Sequence, residues 1–106
     1  MTQKNSPLGG RWRIIWMEQW DSDYFDMEVP AHITLDSKGN GEFQFGLVQG
    51  SFQTPLSKTY ICSEWEGNAE MDEAFGEIYA TLEEEKLKGT ISFYEGDESE
   101  FTAIRE

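Results

Sequence analysis

Apolar residues recur at every second position in separate segments of this chain, and that period of two constrains the fold more than any other feature. Alternation of this kind is typical of a β-strand with one buried face. The clearest case is GRWRIIWMEQW, residues 10–20. The face predicted to be buried carries Trp12, Ile14, Trp16 and Trp20, and Met17 falls on the other face. We therefore expect a first strand that begins at Gly10.

Further alternating segments follow, separated by short runs that favour turns. The segments are HITLDS (32–37), EFQFGLVQGSF (42–52), SKTYICSEWEG (57–67), LKGTISFYEG (87–96) and GDESEFTAIRE (96–106). Gly, Asn and Asp between them, as in KGNG at 38–41, can adopt the positive φ angles of tight hairpins. Each segment is predicted to be a strand paired with its neighbour in the chain.

Residues 68–86, NAEMDEAFGEIYATLEEEK, fit two structures. Met71, Phe75, Ile78 and Leu82 recur at helical spacing, and acidic residues crowd the first turn, where a helix dipole favours them. Gly76 in the middle would cost a helix about 1 kcal/mol relative to Ala. The same residues also alternate from 78 to 82. We predict at most a short helical turn near 70–74, followed by a strand.

These elements predict an all-β fold, an antiparallel up-and-down meander of 7–8 strands. Without a long helix between two strands there is no crossover connection for a parallel sheet. Because a long open edge invites aggregation, closure into a small barrel is favoured over a flat sheet. A chain of 106 residues supports one core. We expect one barrel domain over 10–106 and a loose tail over 1–9.

The chain is strongly acidic, with 21 Asp and Glu against 8 Lys and Arg and a formal net charge of -13. Affinity for nucleic acid and for anionic membranes depends on basic side chains, so both partners are excluded. A basic protein, a cation or a small molecule remains as partner. Cys62 is the single cysteine, and no segment has the apolar length of a signal peptide or a membrane span, so we expect a cytoplasmic protein.

The stretch EQWDSDYFDMEVP, residues 18–30, mixes aromatic rings with acids. Asp21, Asp23 and Asp26 are weak candidates for a metal site, because Phe25 occupies the position where a calcium loop needs another oxygen ligand. We predict instead a lid across one mouth of the barrel, with its rings inward and its acids outward.

His32 and Cys62 are the only pair that offers nucleophilic chemistry, and nothing local activates the thiol. We expect both side chains to be structural, with Cys62 buried. The prediction is a protein that is not an enzyme and that needs no cofactor or metal.

GRW at 10–12, together with Arg105 in the last strand, resembles the calycin superfamily, which includes the lipocalins. The resemblance implies a barrel in which the Arg105 guanidinium packs across the Trp12 indole, a contact that would join the first strand to the last. The pattern over residues 10–102 is also similar to a set of small bacterial proteins to which no activity is assigned. Neither resemblance implies a ligand.

Two functions are open from the sequence. In the first, the chain is a binding module that takes a small hydrophobic or cationic ligand at one barrel mouth. The predicted ligand-binding residues are Trp16, Trp20, Tyr24, Glu64, Trp65 and Phe93. A barrel of this size can equally be filled by its own side chains. In the second, the chain is an acidic antagonist, of the immunity-protein or nucleic-acid-mimic type, which binds a basic protein through the acids between Glu64 and Glu100.

Overall fold

The computed structural model describes residues 8–36, 38–54, 60–94 and 96–106, and these form a closed antiparallel barrel of eight strands in sequential order. The all-β meander predicted from the alternation is confirmed, although residues 42–52, predicted as one strand, form two strands joined by a turn at Gly46 and Leu47. The elements are β1 (Gly10–Met17), α1 (Ser22–Phe25), β2 (His32–Leu35), β3 (Asn40–Phe45), β4 (Val48–Gln53), β5 (Tyr60–Ala69), β6 (Asp72–Glu83), β7 (Lys86–Phe93) and β8 (Glu98–Arg105). Residues 1–7 of the expected tail and 57–59 of the expected fourth strand lie outside the described residues.

Pairing of β1 with β8 closes the ring. Trp12 lies opposite Arg105, and Ile14 lies opposite Ala103. The Arg105 Cζ atom is 4.3 Å from the centroid of the Trp12 ring, so the expected contact between guanidinium and indole is confirmed. Arg105 Nη1 also donates to the Gly9 carbonyl at 2.5 Å. This one side chain therefore holds together both chain ends of the barrel.

Leu8 and Gly9 contact the barrel, although the sequence predicted a loose tail through residue 9. Leu8 is fully buried, and its carbonyl accepts a hydrogen bond of 3.0 Å from the Trp12 indole nitrogen. A buried indole N–H needs an acceptor, and the backbone just before β1 supplies it. The predicted loose tail over 1–9 is thus wrong for residues 8 and 9, which belong to the closed end of the barrel.

A β-bulge changes which side chains of β1 point inward. Ile14 pairs with Ala103 and Trp16 pairs with Thr102, so Ile15 is an extra residue in this strand. An inserted residue reverses the alternation beyond it. Trp16 is consequently 47% exposed, whereas Met17 is 3% exposed. The predicted faces are correct up to Ile14 and wrong for Trp16 and Met17.

β5 and β6 form the longest hairpin of the barrel, paired from Tyr60 with Thr81 to Ala69 with Asp72. Where a short helical turn was expected near 70–74, Glu70 and Met71 form a two-residue turn with φ angles of 52° and 79°. Two successive positive φ angles are typical of the type I′ turn, whose twist matches that of the flanking strands. The helical spacing of Met71 and Phe75 therefore has no structural role, and both side chains are exposed.

The inward faces of the strands meet in one cluster of buried apolar side chains that runs the length of the barrel. Its largest fully buried members are Trp12, Trp65, Phe43, Phe45 and Phe101. Phe45 on β3 and Phe93 on β7 stand on opposite sides of an eight-stranded ring, yet their ring centroids are 6.5 Å apart. At that level the rings themselves span the barrel. Of the two alternatives for the interior, the structure shows the filled one there.

Within the described residues, no helix has both the length and the apolar character needed to cross a membrane.

The hairpin between β2 and β3 is organised by Asp36. Its carboxylate accepts hydrogen bonds from the backbone amides of Lys38 at 2.8 Å and Asn40 at 3.0 Å, and from the Asn40 side chain at 3.2 Å. The Lys38 amide bond first, and the Asn40 amide bond second, hold the pKa of the Asp36 carboxyl below its usual value. These bonds favour the charged form.

The first prediction concerns closure. Arg105→Ala should lower the free energy of unfolding by about 1 to 2 kcal/mol, because it removes the cation–π contact and the charged hydrogen bond to Gly9. Arg11→Ala is the matched control, since Arg11 forms a half-exposed ion pair with Glu106 at 2.6 Å and should contribute less. Urea unfolding measures both variants. Equal losses would show that stacking on Trp12 does not close the barrel.

The second prediction concerns how the contribution of Asp36 to stability changes with pH. A carboxyl whose pKa is lowered by folding stabilises the protein above its unfolded pKa, and this contribution is lost as pH falls through the folded pKa. The stability difference between the wild type and Asp36→Asn should therefore be largest near neutral pH and shrink on acidification through the acidic range. Unfolding measured across pH tests this. A difference that is constant with pH would contradict it.

Candidate functional site

The predicted lid is present at the end of the barrel opposite Arg105. Residues 18–30 form the connection that contains α1, in which Phe25 is buried and the side chains of Asp21 and Asp23 are exposed. The Phe25 carbonyl accepts a hydrogen bond from the Gly46 amide at 3.0 Å, and the Tyr24 hydroxyl accepts one from the Leu47 amide at 3.3 Å. The lid is thus attached to the turn between β3 and β4.

Trp20 closes the barrel mouth beneath this lid. Its ring centroid lies 5.1 Å from that of Phe45 on β3 and 6.2 Å from that of Phe93 on β7. Tyr24 stacks on the outer side of Trp20 at 6.0 Å, and Trp65 contacts Phe93 at 5.3 Å. Four of the six predicted ligand-binding residues are therefore in one continuous ring cluster: Trp20, Tyr24, Trp65 and Phe93. The cluster packs on the core.

The other two predicted residues do not join this cluster. Trp16 points away from the interior because of the bulge at Ile15. Glu64 lies on the outer face of β5, one residue before the buried Trp65, because successive side chains of a strand point to opposite faces. A single ligand at the mouth could not contact all six residues as the sequence suggested.

Two acids of residues 18–30, Glu18 and Asp26, accept hydrogen bonds through their carboxylates. Asp26 accepts a hydrogen bond from the Ala31 amide at 2.8 Å and from Arg13 Nη2 at 3.4 Å. The Asp21 carbonyl accepts the amides of Tyr24 and Phe25, which starts α1. Within the described ranges, no cluster of three or more His, Cys, Asp or Glu side chains is arranged to hold a metal ion.

His32 and Cys62 lie on strands that are separated by β3 and β4. Cys62 is exposed and free, so the expectation that it is buried is wrong. Cys62 lies between the buried Ile61 and the partly buried Ser63, so the alternation along β5 turns its side chain outward. His32 Nδ1 is 2.9 Å from the Pro30 carbonyl, which fixes the orientation of the ring.

The outer face of β5, β6 and the end of β7 carries aromatic rings among acids, and sequence reasoning missed the aromatic part. Phe75 and Tyr94 stack with centroids 5.0 Å apart at an interplanar angle of 18°. They are 53% and 63% exposed. Tyr79, also half exposed, lies two residues beyond Glu77 on the same face of β6. We call this surface, made of Glu64, Phe75, Glu77, Tyr79 and Tyr94, the acidic-aromatic face.

Glu64 and Glu77 are directly opposite each other in the centre of the acidic-aromatic face. Like charges at opposed positions of an antiparallel pair are destabilising. Residues 59–85 contain no Lys, Arg or His, so neither strand of this hairpin supplies a compensating charge. The ion pairs in the described part of the chain, Arg11 with Glu106 and Arg13 with Asp26, are elsewhere. Among the described residues, these two adjacent carboxylates therefore have no cationic partner.

The third prediction tests how the lid is held. Gly46 has a φ of 57°, and a Cβ atom there would lie 2.2 Å from the Tyr24 ring. Gly46→Ala should cost about 3 kcal/mol, since a left-handed alanine and the displaced ring both oppose folding. It should also raise amide exchange at Gly46 and Leu47.

A double-mutant cycle separates the two causes. In a Tyr24→Ala background the ring is absent, so Gly46→Ala should cost only the backbone part, about 1 kcal/mol. If the cost of Gly46→Ala is the same in both backgrounds, Tyr24 does not pack on Gly46 in solution.

No protein-family model, no curated protein and no solved structure matches this chain. The architecture given above is established by the strand register of the chain itself. Membership of the calycin superfamily stays a prediction that rests on Gly10, Trp12 and Arg105.

Proposed function

We propose that this protein is a non-catalytic binding protein whose acidic-aromatic face receives a basic protein partner. The observation that carries the proposal is the opposed pair Glu64 and Glu77, which lies among exposed aromatic rings and forms no ion pair with any residue that the structure describes. A protein that only needed solubility could place these two charges apart. Side by side, they lower the stability of the free protein and become favourable when a cation lies between them.

The exposed aromatic rings of the acidic-aromatic face also support a protein partner. Half or more of the surface of these rings is in contact with water. A partner that covers this apolar surface therefore gains binding free energy from the hydrophobic effect. Aromatic residues are enriched in the energetically important centres of protein interfaces. Phe75 stacked on Tyr94 also offers a planar surface on which a guanidinium can lie. Acid and aromatic groups together favour an arginine-bearing partner over a purely apolar one.

The charge of the whole molecule supports the same partner. A net charge of -13 attracts a basic protein over a distance set by the ionic strength, and this raises the rate of encounter. Lys86 and Lys88 on β7 lie opposite Glu83 and Thr81, towards the end of β6 remote from Phe75. They leave the centre of the face negative.

The barrel mouth is less favoured as the binding site. A ligand there would have to displace Trp20 from its position between Phe45 and Phe93 and detach the lid from Gly46 and Leu47. The acidic-aromatic face needs no such rearrangement, because its rings and carboxylates are already exposed.

The fourth prediction uses the opposite effects that the Glu64 and Glu77 carboxylates have on folding and binding. Glu64→Gln with Glu77→Gln should raise the free energy of unfolding by about 0.5 kcal/mol, because it removes the repulsion between opposed charges. The same double variant should bind a synthetic arginine-rich peptide roughly tenfold more weakly. Calorimetry at low salt measures the affinity, and urea unfolding measures the stability.

Glu84→Gln with Glu85→Gln is the matched control. It removes the same charge from the turn between β6 and β7, outside the acidic-aromatic face. If both double variants weaken binding equally, only the net charge of the protein attracts the peptide, and the proposed binding face is wrong.

A further inference from the structure

A second binding feature lies beside the acidic-aromatic face. It is an open groove of about 210 Å³ on the outer surface of β2 to β5. The side chains of His32, Glu42, Gln44, Gln49, Glu66 and Asn68 line it, together with Ser51. Its floor is the backbone of Gly50 and Gly67, which are opposite each other on β4 and β5. A Cβ atom at Gly67 would lie 1.9 Å from the Gln49 carbonyl oxygen, so the strands approach closely only because no side chain is present.

The groove is rich in hydrogen-bond acceptors. His32 Nδ1 faces the Pro30 carbonyl at 2.9 Å, and a carbonyl can only accept, so Nδ1 donates this hydrogen bond. The Ser51 hydroxyl donates its hydrogen to the Glu66 carbonyl at 3.4 Å, so the lone pairs of the Ser51 oxygen can accept hydrogen bonds from a ligand. Glu42 and Glu66 are acceptors only. Both lie directly opposite Ser51, one on each neighbouring strand.

The remaining polar groups do not reverse this excess. Gln44, Gln49 and Asn68 follow one another across β3, β4 and β5, and each amide offers an oxygen as well as two N–H donors. None of these three side chains makes a hydrogen bond to another described residue. Among the described residues, the lining contains no Lys or Arg, and its one large apolar residue, Phe43, has a buried side chain, so the groove favours neither an anion nor an apolar ligand.

A ligand that complements the groove must be cationic and rich in donors. A guanidinium has five N–H donors in a plane, no acceptor and a permanent positive charge. A neutral sugar brings at least as many acceptors as donors, and although its hydroxyls can donate to the two carboxylates, it has no positive charge to match them. An ammonium is a compact point charge with three donors, which uses fewer of the acceptors that line the groove.

We infer that the groove of His32, Glu42, Gln44, Gln49, Glu66 and Asn68 takes the guanidinium of an arginine side chain that the basic partner presents. The groove and the acidic-aromatic face are adjacent, because Glu66 is directly opposite Phe75. A partner docked on the face can therefore extend one arginine over Glu66 into the groove. The source of the arginine rests on the proposed function, whereas the preference of the groove for a guanidinium does not.

The experiment is a titration of the isotope-labelled protein with N-acetyl-arginine N-methylamide, followed by NMR. The side-chain amide signals of Gln44, Gln49 and Asn68 should shift together, whereas those of Gln19 and Gln53 should stay in place. The citrulline analogue has the same shape without the charge and should cause no saturable shift. The lysine analogue should bind about fivefold more weakly than the arginine compound.

Two sets of variants make the outcomes distinct. Glu42→Gln with Glu66→Gln preserves the shape of the groove and should weaken arginine binding at least fivefold. Glu64→Gln with Glu77→Gln should leave the small arginine compound bound. If the arginine compound shifts no groove signal, or if Glu42→Gln with Glu66→Gln has no effect, the inference is overturned. Binding of the arginine-rich peptide that still depends on Glu64 and Glu77 would then leave the proposed function standing.

Discussion

The structure depends on the pairing of β1 with β8, because this is the contact that turns a row of hairpins into a ring. Each of the other strand pairs joins neighbours in the sequence, which the chain brings together locally. β1 and β8 are at opposite ends of the chain, and without their pairing both would be open edges. Arg105 contributes to the closure twice, through the Trp12 ring and through the Gly9 carbonyl. Once the ring is closed, every strand has a fixed inner face, which packs in the core, and a fixed outer face, which carries the proposed binding surface.

Most of this fold could be predicted from the alternation, since the period of two is a direct consequence of strand geometry. The errors have a common cause, which is that local irregularities leave little trace in the sequence. Nothing in RIIWM indicates that Ile15 is an extra residue, because both Trp16 and Met17 are apolar and either can face the core. The hairpin turn at Glu70 and Met71 was missed because neither residue is the glycine or asparagine that positive φ angles favour.

The candidate site was less predictable, although part of its signal was present. Trp20, Trp65 and Phe93 were predicted as a group because aromatic side chains commonly line ligand pockets. Phe75 and Tyr79 could have been placed outside, since they share their phase with Glu73 and Glu77 and not with Ile78 and Ala80. An aromatic residue in the polar phase of a strand is the informative feature. The groove could not be found this way, because its residues come from β2, β3, β4 and β5 and become neighbours only through the register.

A filled interior also explains why binding is assigned to the outer surface. Lipocalin-like function needs space inside the barrel, but Phe45 and Phe93 contact each other across it and Trp20 covers them. Those contacts stabilise a small domain that has no disulfide and repels itself electrostatically. The proposed binding surface is therefore on the outside, where exposed rings lie beside Glu64 and Glu77. Removal of the repulsion between Glu64 and Glu77 would improve stability, so a partner is a better explanation than folding for keeping these charges beside exposed rings.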